Sequence, residues 1–213
     1  MSYTLFGSIR SGSLAVELTL AEIGVDVTLR DVSLASDSQR DEAYAAINPQ
    51  RKLPALVTPD DEILTESLAI LLTLDERHPD AGLMPARGTP NRAQALRWLT
   101  FVATEIYPVV EIYDYPERFS VHASDATETR ALARTKWRER WLVLEQAFSG
   151  EPYFLSTGFS LVDIYIAVVS RWADQDDWRP ANIPRVERLT AAISHRPELS
   201  DVWHRHRNAS PTT

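Results

Sequence analysis

The chain of 213 residues contains no cysteine. That excludes disulfides, thiolate metal sites and any mechanism that uses an enzyme thiol. Histidine is scarce too: His78, His122, His195, His204 and His206. Only His204 and His206 are close in sequence. They sit on a polar C-terminal stretch and read as solvated helix-end residues, so no metal site is expected. Basic residues are outnumbered, 22 Lys+Arg against 30 Asp+Glu, which disfavours nucleic acid or an anionic membrane as partner. No apolar run approaches the length of a membrane span, and Met1–Leu5 lacks the basic start and apolar core of a signal peptide. A cytoplasmic location is the expectation. No internal repeat or low-complexity segment is visible.

What is present falls into two parts. The first alternates short strand and helix signals. Tyr3–Phe6 reads as a strand and Ser13–Ile23 as a helix, with Leu14, Leu18 and Ala21 on one face and Gly24 as the stop. Val27–Val32 is a strand and Asp41–Ile47 a short helix. Pro54–Val57 and Glu62–Leu64 form a hairpin about Asp60-Asp61, and Glu66–Arg77 is a helix. The order βαβ-α-ββα predicts a small mixed sheet flanked by helices, with a right-handed first crossover. Three prolines and two glycines between Pro79 and Pro90 mark a linker. The expected division is a first domain at 1–79, a linker at 80–89 and an all-α second domain at 90–213.

The second part shows no strand signal. Thr89-Pro90 opens a helix with Leu96, Leu99, Val102 and Ile106 on one face, which Pro108 should bend or end. A long helix is expected from Ser124 to Phe148, with Trp137, Trp141, Leu144 and Phe148 inward. Ser160-Leu161-Val162-Asp163 has capping-box spacing, and opens an almost wholly apolar helix to Trp172. Ser160 and Asp163 are therefore read as a structural cap. Pro184–His195 and Glu198–His206 read as shorter amphipathic helices.

The chemistry concentrates around Leu53-Pro54 and Glu66-Ser67. A cis bond before Pro54 would present the backbone of Leu53 to an extended peptide ligand. The first N–H groups of the next helix, with Ser67, suit a carboxylate, and Glu66 suits an ammonium. Lys52 is either a solvated loop lysine or a partner for a second carboxylate. A ligand with an α-amino-acid end and a peptide middle fits, and glutathione is one.

Four separated motifs agree in order and spacing with one family. They are Ile47-Asn48-Pro49 with Leu53-Pro54-Ala55-Leu56, Leu64 through Leu71, Leu83-Met84-Pro85 followed by Arg92 through Leu99, and Phe159 through Tyr165. With them the chain resembles a bacterial glutathione S-transferase. The resemblance implies a thioredoxin-like N-terminal domain joined to an all-α helical-bundle C-terminal domain, usually as a homodimer. It implies reduced glutathione as co-substrate, bound by Lys52, Leu53, Pro54, Glu66 and Ser67, and a small hydrophobic electrophile in a detoxification reaction. The fold does not settle the activity. Family members also serve as isomerases, reductases and non-catalytic binding or assembly proteins, so a catalytically silent protein is the alternative.

A transferase must hold the glutathione thiol as thiolate. A free thiol has a pKa of about 8.5, so only roughly 3% is ionised at pH 7, and lowering it by about two units takes about 2.7 kcal/mol of differential stabilisation. A hydroxyl donor, a helix N-terminus or a nearby cation can supply that. In the family the group lies between the first strand and first helix, here Gly7-Ser8-Ile9-Arg10-Ser11-Gly12-Ser13. Aligned on Leu14-Ala15-Val16, Arg10 falls where serine-type relatives carry serine, and Gly12 where cysteine-type relatives carry cysteine. Ser11, one step from both, is the first choice for the thiol hydrogen bond. Ser13 is second choice or a helix cap, and Arg10 supplies positive field or grips a carboxylate. Tyr107, at the Pro108 bend, is read either as an electrophile-pocket residue or as core packing.

Overall fold

A computed structural model describes residues 2–172 and 177–208. The chain divides into two compact units, residues 1–83 together with 193–213, and residues 84–192. The expected second domain ran to 213. Instead the C-terminal segment belongs to the first unit, because charged side chains of its helix are bonded to the first helix of the chain.

The first unit is built on a four-stranded sheet of β1 (Tyr3–Gly7), β2 (Val27–Asp31), β3 (Ala55–Val57) and β4 (Ile63–Thr65), in the order β2-β1-β3-β4. β1 and β2 run parallel around α1 (Ser13–Ile23), while β3 is antiparallel to both β1 and β4. Helices α2 (Glu42–Ala45) and α3 (Ser67–Arg77) complete the βαβ-α-ββα order. α1 is buried from Ser13 through Leu20, and ends at Gly24, whose φ of 77° places it in the left-handed region that glycine adopts without strain. Burying Leu14, Leu18 and Leu20 contributes roughly 1.5–3 kcal/mol each. A smaller cluster of Val32, Tyr44 and Ala55, with Phe6, Ile47 and Leu53 against it, lies under the segment leading into β3.

The second unit is helical. α4 (Pro90–Phe101) starts with Thr89 Oγ1 accepting the N–H of Arg92 at 3.2 Å. A π-helical segment over Val102–Ile106 follows, then α5 (Tyr107–Asp114), which carries Pro108 in its first turn. The proline therefore interrupts the helix earlier than its own position. The wide turn before it absorbs the missing N–H, as π segments do. Leu99, Val102 and Ile106 are buried as expected, but Leu96 is 38% exposed.

α6 (Ala126–Gln146) buries Trp137, Trp141 and Leu144. α7 (Leu161–Val169) is buried along its whole length and stops before Trp172. The short α8 (Trp178–Asn182) had no signal in the sequence. α9 (Pro184–Ser194) leads to α10 (Ser200–Asn208), whose residues belong to the first unit.

Candidate functional site

The strand register places three loops at one end of the sheet. Phe6 pairs with Ala55, and Ala55 pairs with Thr65 on its other side. β1 leaves that row into the loop 8–12, β3 enters it from Leu53-Pro54, and β4 leaves it into Glu66-Ser67. Candidates spread over 58 positions of sequence, from Arg10 to Ser67, thus flank a single row of paired residues.

The Leu53–Pro54 bond is cis, as expected. The segment before it is held from behind. The Lys52 carbonyl accepts Tyr44 Oη–H at 2.7 Å and Asn48 Nδ2–H at 2.8 Å. Asn48 is buried, and its Oδ1 also accepts the N–H of Gln50 at 3.0 Å. Burial pushes the Tyr44 phenol up to about 12, against the lowering effect of Asn48. Tyr44 therefore stays a donor throughout the working pH range. Leu53 lies two residues before the β3 ladder, and the side chain of Lys52 is exposed.

Glu66 sits at the N-cap of α3 with φ 63° and ψ 108°, a strained conformation for a residue with a Cβ. An acid at a helix start is often a simple cap. Here Glu66 is exposed and its side chain makes no capping bond. Ser67, the first residue of α3, is buried beside it.

The loop before α1 is tightly bonded to itself. Ser11 Oγ donates to the Ser8 carbonyl at 2.8 Å and lies 2.8 Å from Ser13 Oγ, which also reaches the Ser8 carbonyl at 3.2 Å. Ser11 Oγ also accepts the N–H of Ser13 at 3.2 Å, while Gly12 occupies the N-cap position of α1 with no side-chain cap bond. Both hydroxyls are buried, and each has an acceptor within the loop. Gly7 leaves no room for a Cβ, which would lie 2.4 Å from Ser13 Cβ. Arg10 is exposed and takes φ 65°. No acidic residue occupies the first turn of α1.

One expectation is overturned here. His206 is not solvated: it is 1% exposed. Its Nδ1 accepts the N–H of Arg10 at 3.1 Å, and its Nε2 lies 2.9 Å from Glu17 Oε2. Arg205 pairs with the other oxygen of Glu17. Glu17 is itself buried on α1. The sequence signal was present as an acid among Leu14, Ala15, Val16, Leu18 and Leu20, though nothing local named its partner.

In the second unit, the Tyr107 ring lies 4.8 Å from that of Trp172 and 6.4 Å from that of Tyr165. The Asp163 carboxylate accepts the N–H groups of Phe154 and Ser160, each at 2.7 Å, and the Ser160 hydroxyl at 3.1 Å. The cap reading of Ser160 and Asp163 fits this geometry. Among the described residues no three His, Asp or Glu side chains converge as metal ligands do.

A four-stranded mixed sheet with a cis-proline loop and an open helix start beside it, followed by a helical unit, defines a thioredoxin-like glutathione-transferase fold. Comparison agrees. Residues 12–77 match the family description "Glutathione S-transferase, N-terminal domain". The chain is 29% identical over 195 residues to the uncharacterized GST-like protein YncG of Escherichia coli K12, covering 91% of this chain and 93% of that one. It is 27% identical over 191 residues to glutathione S-transferase GstA of Escherichia coli O157:H7, covering 89% and 92%. A glutathione transferase homolog from Sulfitobacter, solved with bound glutathione, matches with a TM-score of 0.88 over 96% of this chain and 98% of that one, at 27% identity. Residues 12–77 thus match the glutathione S-transferase N-terminal domain, and over most of its length the chain is similar to bacterial glutathione S-transferases.

Proposed function

We propose that this protein is a glutathione transferase that binds reduced glutathione at the Leu53/Glu66 end of the sheet and directs its thiolate at a small electrophile. The observation that carries the reading is Glu66. Its carboxylate is exposed, strained at φ 63° and unused as a cap. It suits the α-ammonium of the γ-glutamyl group, with Ser67 and the α3 N-terminus taking the α-carboxylate. Backbone groups of Leu53 take the peptide middle, and Lys52 the glycyl carboxylate. Glutathione bound to the Sulfitobacter homolog supports the ligand.

The thiol is then directed to the loop before α1. Three sources of positive potential lie there: the Ser11 hydroxyl, the α1 N-terminus free of acid in its first turn, and Arg10. Ser11 donates to the sulfur after exchanging its bond to the Ser8 carbonyl, and Ser13 supports it. The remaining step is placement of the electrophile against the thiolate.

A second reading has one observation in its favour. Both loop hydroxyls are already satisfied internally, which suits a silent glutathione-binding protein. Calorimetric titration with reduced glutathione, in buffers of different ionisation heat, separates the two. Binding with proton release near pH 7 supports the transferase. Binding without release supports the silent protein, and no binding at millimolar glutathione removes both.

A further inference from the structure

The geometry points to His206 as a positioning residue for the thiol-binding loop. This inference rests on the transferase reading above. His206 belongs to α10, yet its imidazole meets the loop before α1 at the residue whose backbone is strained. Arg10 has φ 65°, and its N–H donates to His206 Nδ1 at 3.1 Å. A residue with a Cβ holds such a conformation only where its surroundings over-determine it.

The ring is itself fixed. Because Nδ1 accepts, Nε2 carries the hydrogen, and it reaches Glu17 Oε2 at 2.9 Å. The second Glu17 oxygen is taken by Arg205. His206 and Glu17 are 1% and 5% exposed, so the contact between the imidazole and α1 joins two buried side chains.

Packing does not do the same task. A cavity of about 160 Å3 lies against Gly7, Ser8 and Ile9, with Leu5, Leu29 and His206 among its walls. The Arg10–His206 bond is a directional contact that fixes the loop at the residue following that stretch. Ser11 follows Arg10 immediately. A change in the Arg10 backbone therefore moves the Ser11 hydroxyl and the start of α1 together. The γ-glutamyl end is held elsewhere, at Glu66 and Ser67. His206 should accordingly govern ionisation of the bound thiol while leaving glutathione affinity nearly untouched.

The test uses the full chain with reduced glutathione, comparing wild type, His206→Ala, His206→Gln and Glu17→Gln. Ultraviolet thiolate absorbance against pH reads ionisation of the bound thiol, and calorimetry reads affinity. His206→Ala is expected to show about tenfold less thiolate at a given pH below its titration midpoint, with the dissociation constant within about threefold of wild type. His206→Gln, whose side-chain carbonyl can accept the Arg10 N–H, should recover much of the loss.

Equal thiolate in wild type and His206→Ala would overturn the positioning role alone. Affinity lost in parallel with thiolate would also overturn it, marking a general support of the unit. If wild type itself ionises no bound thiol, the transferase reading fails and this inference with it. Should His206→Ala not fold, Glu17→Gln reads the same chain of bonds: an intermediate loss of thiolate supports the role, and no loss overturns it.

Discussion

The phenol of Tyr44 donates to the carbonyl of Lys52 at 2.7 Å, fixing from behind the segment that carries Leu53 into β3. Tyr44→Phe removes one of two bonds to that carbonyl and leaves Asn48 Nδ2 as the other. A hydrogen bond of this kind contributes about 0.5–1.5 kcal/mol, so glutathione should bind roughly three- to tenfold more weakly. Asn48→Ala should do the same. The double variant should lose more than the sum, because the singles leave the carbonyl satisfied and the pair does not. Calorimetric dissociation constants for the four proteins check this.

Variants at Glu66 are expected to separate stability from binding. The strain at φ 63° costs about 1–3 kcal/mol. Glycine at this position escapes the Cβ penalty and gives back about 0.5–1 kcal/mol in chain entropy. Glu66→Gly is therefore expected to keep or raise the melting temperature while losing most glutathione affinity. Glu66→Gln keeps the strain and removes the charge, so it should lose affinity with no gain in stability. Thermal melts and titrations of both variants decide it. Retained affinity in both would show that Glu66 does not meet the ligand.

Ser11 and Ser67 should divide the ligand between them. Ser67→Ala is expected to weaken glutathione binding with little change in the pH profile. Ser11→Ala should leave binding largely intact and raise the pKa of the bound thiol. Ser13→Ala serves as the comparison, since the Ser13 hydroxyl also reaches the Ser8 carbonyl. An unchanged activity–pH profile in Ser11→Ala would return the thiolate to the α1 N-terminus and Arg10.

Asp163 makes a pH prediction about stability. Burial pushes its carboxyl up to about 6, against the opposing bonds from Phe154 and Ser160. The folded state therefore holds a proton that the unfolded chain, titrating near 4, has released. Stability contributed by this group is full below about pH 4 and is lost as pH rises through 6. A shift of this size corresponds to about 3 kcal/mol. Asp163→Asn cannot titrate. Wild type should thus exceed the variant most near pH 4, and its advantage should shrink by pH 7 in denaturant unfolding. A pH-independent difference would mean that the carboxyl is ionised throughout.

Much of this protein was written in local patterns. Strand alternation, the 3.6-residue repeat of α1, the Asp60-Asp61 turn and the Ser160–Asp163 spacing each follow from chemistry among near neighbours, and each element formed where that chemistry put it. Leu53-Pro54 and Glu66-Ser67 were legible for the same reason: a proline and a helix start announce their backbone needs within a few residues. Three matters were settled only by tertiary structure. The row Phe6, Ala55 and Thr65 brought the loops together, because register depends on how strands pair rather than on any one of them. The π segment moved the break ahead of Pro108, since where a helix yields depends on what it packs against. His206 passed from an apparent tail residue to a buried link between Glu17 and Arg10, across 189 and 196 positions of sequence. Hydrogen bonds act over a few ångströms and leave no periodic trace along the chain, so such partners become visible only when the fold has brought them within reach.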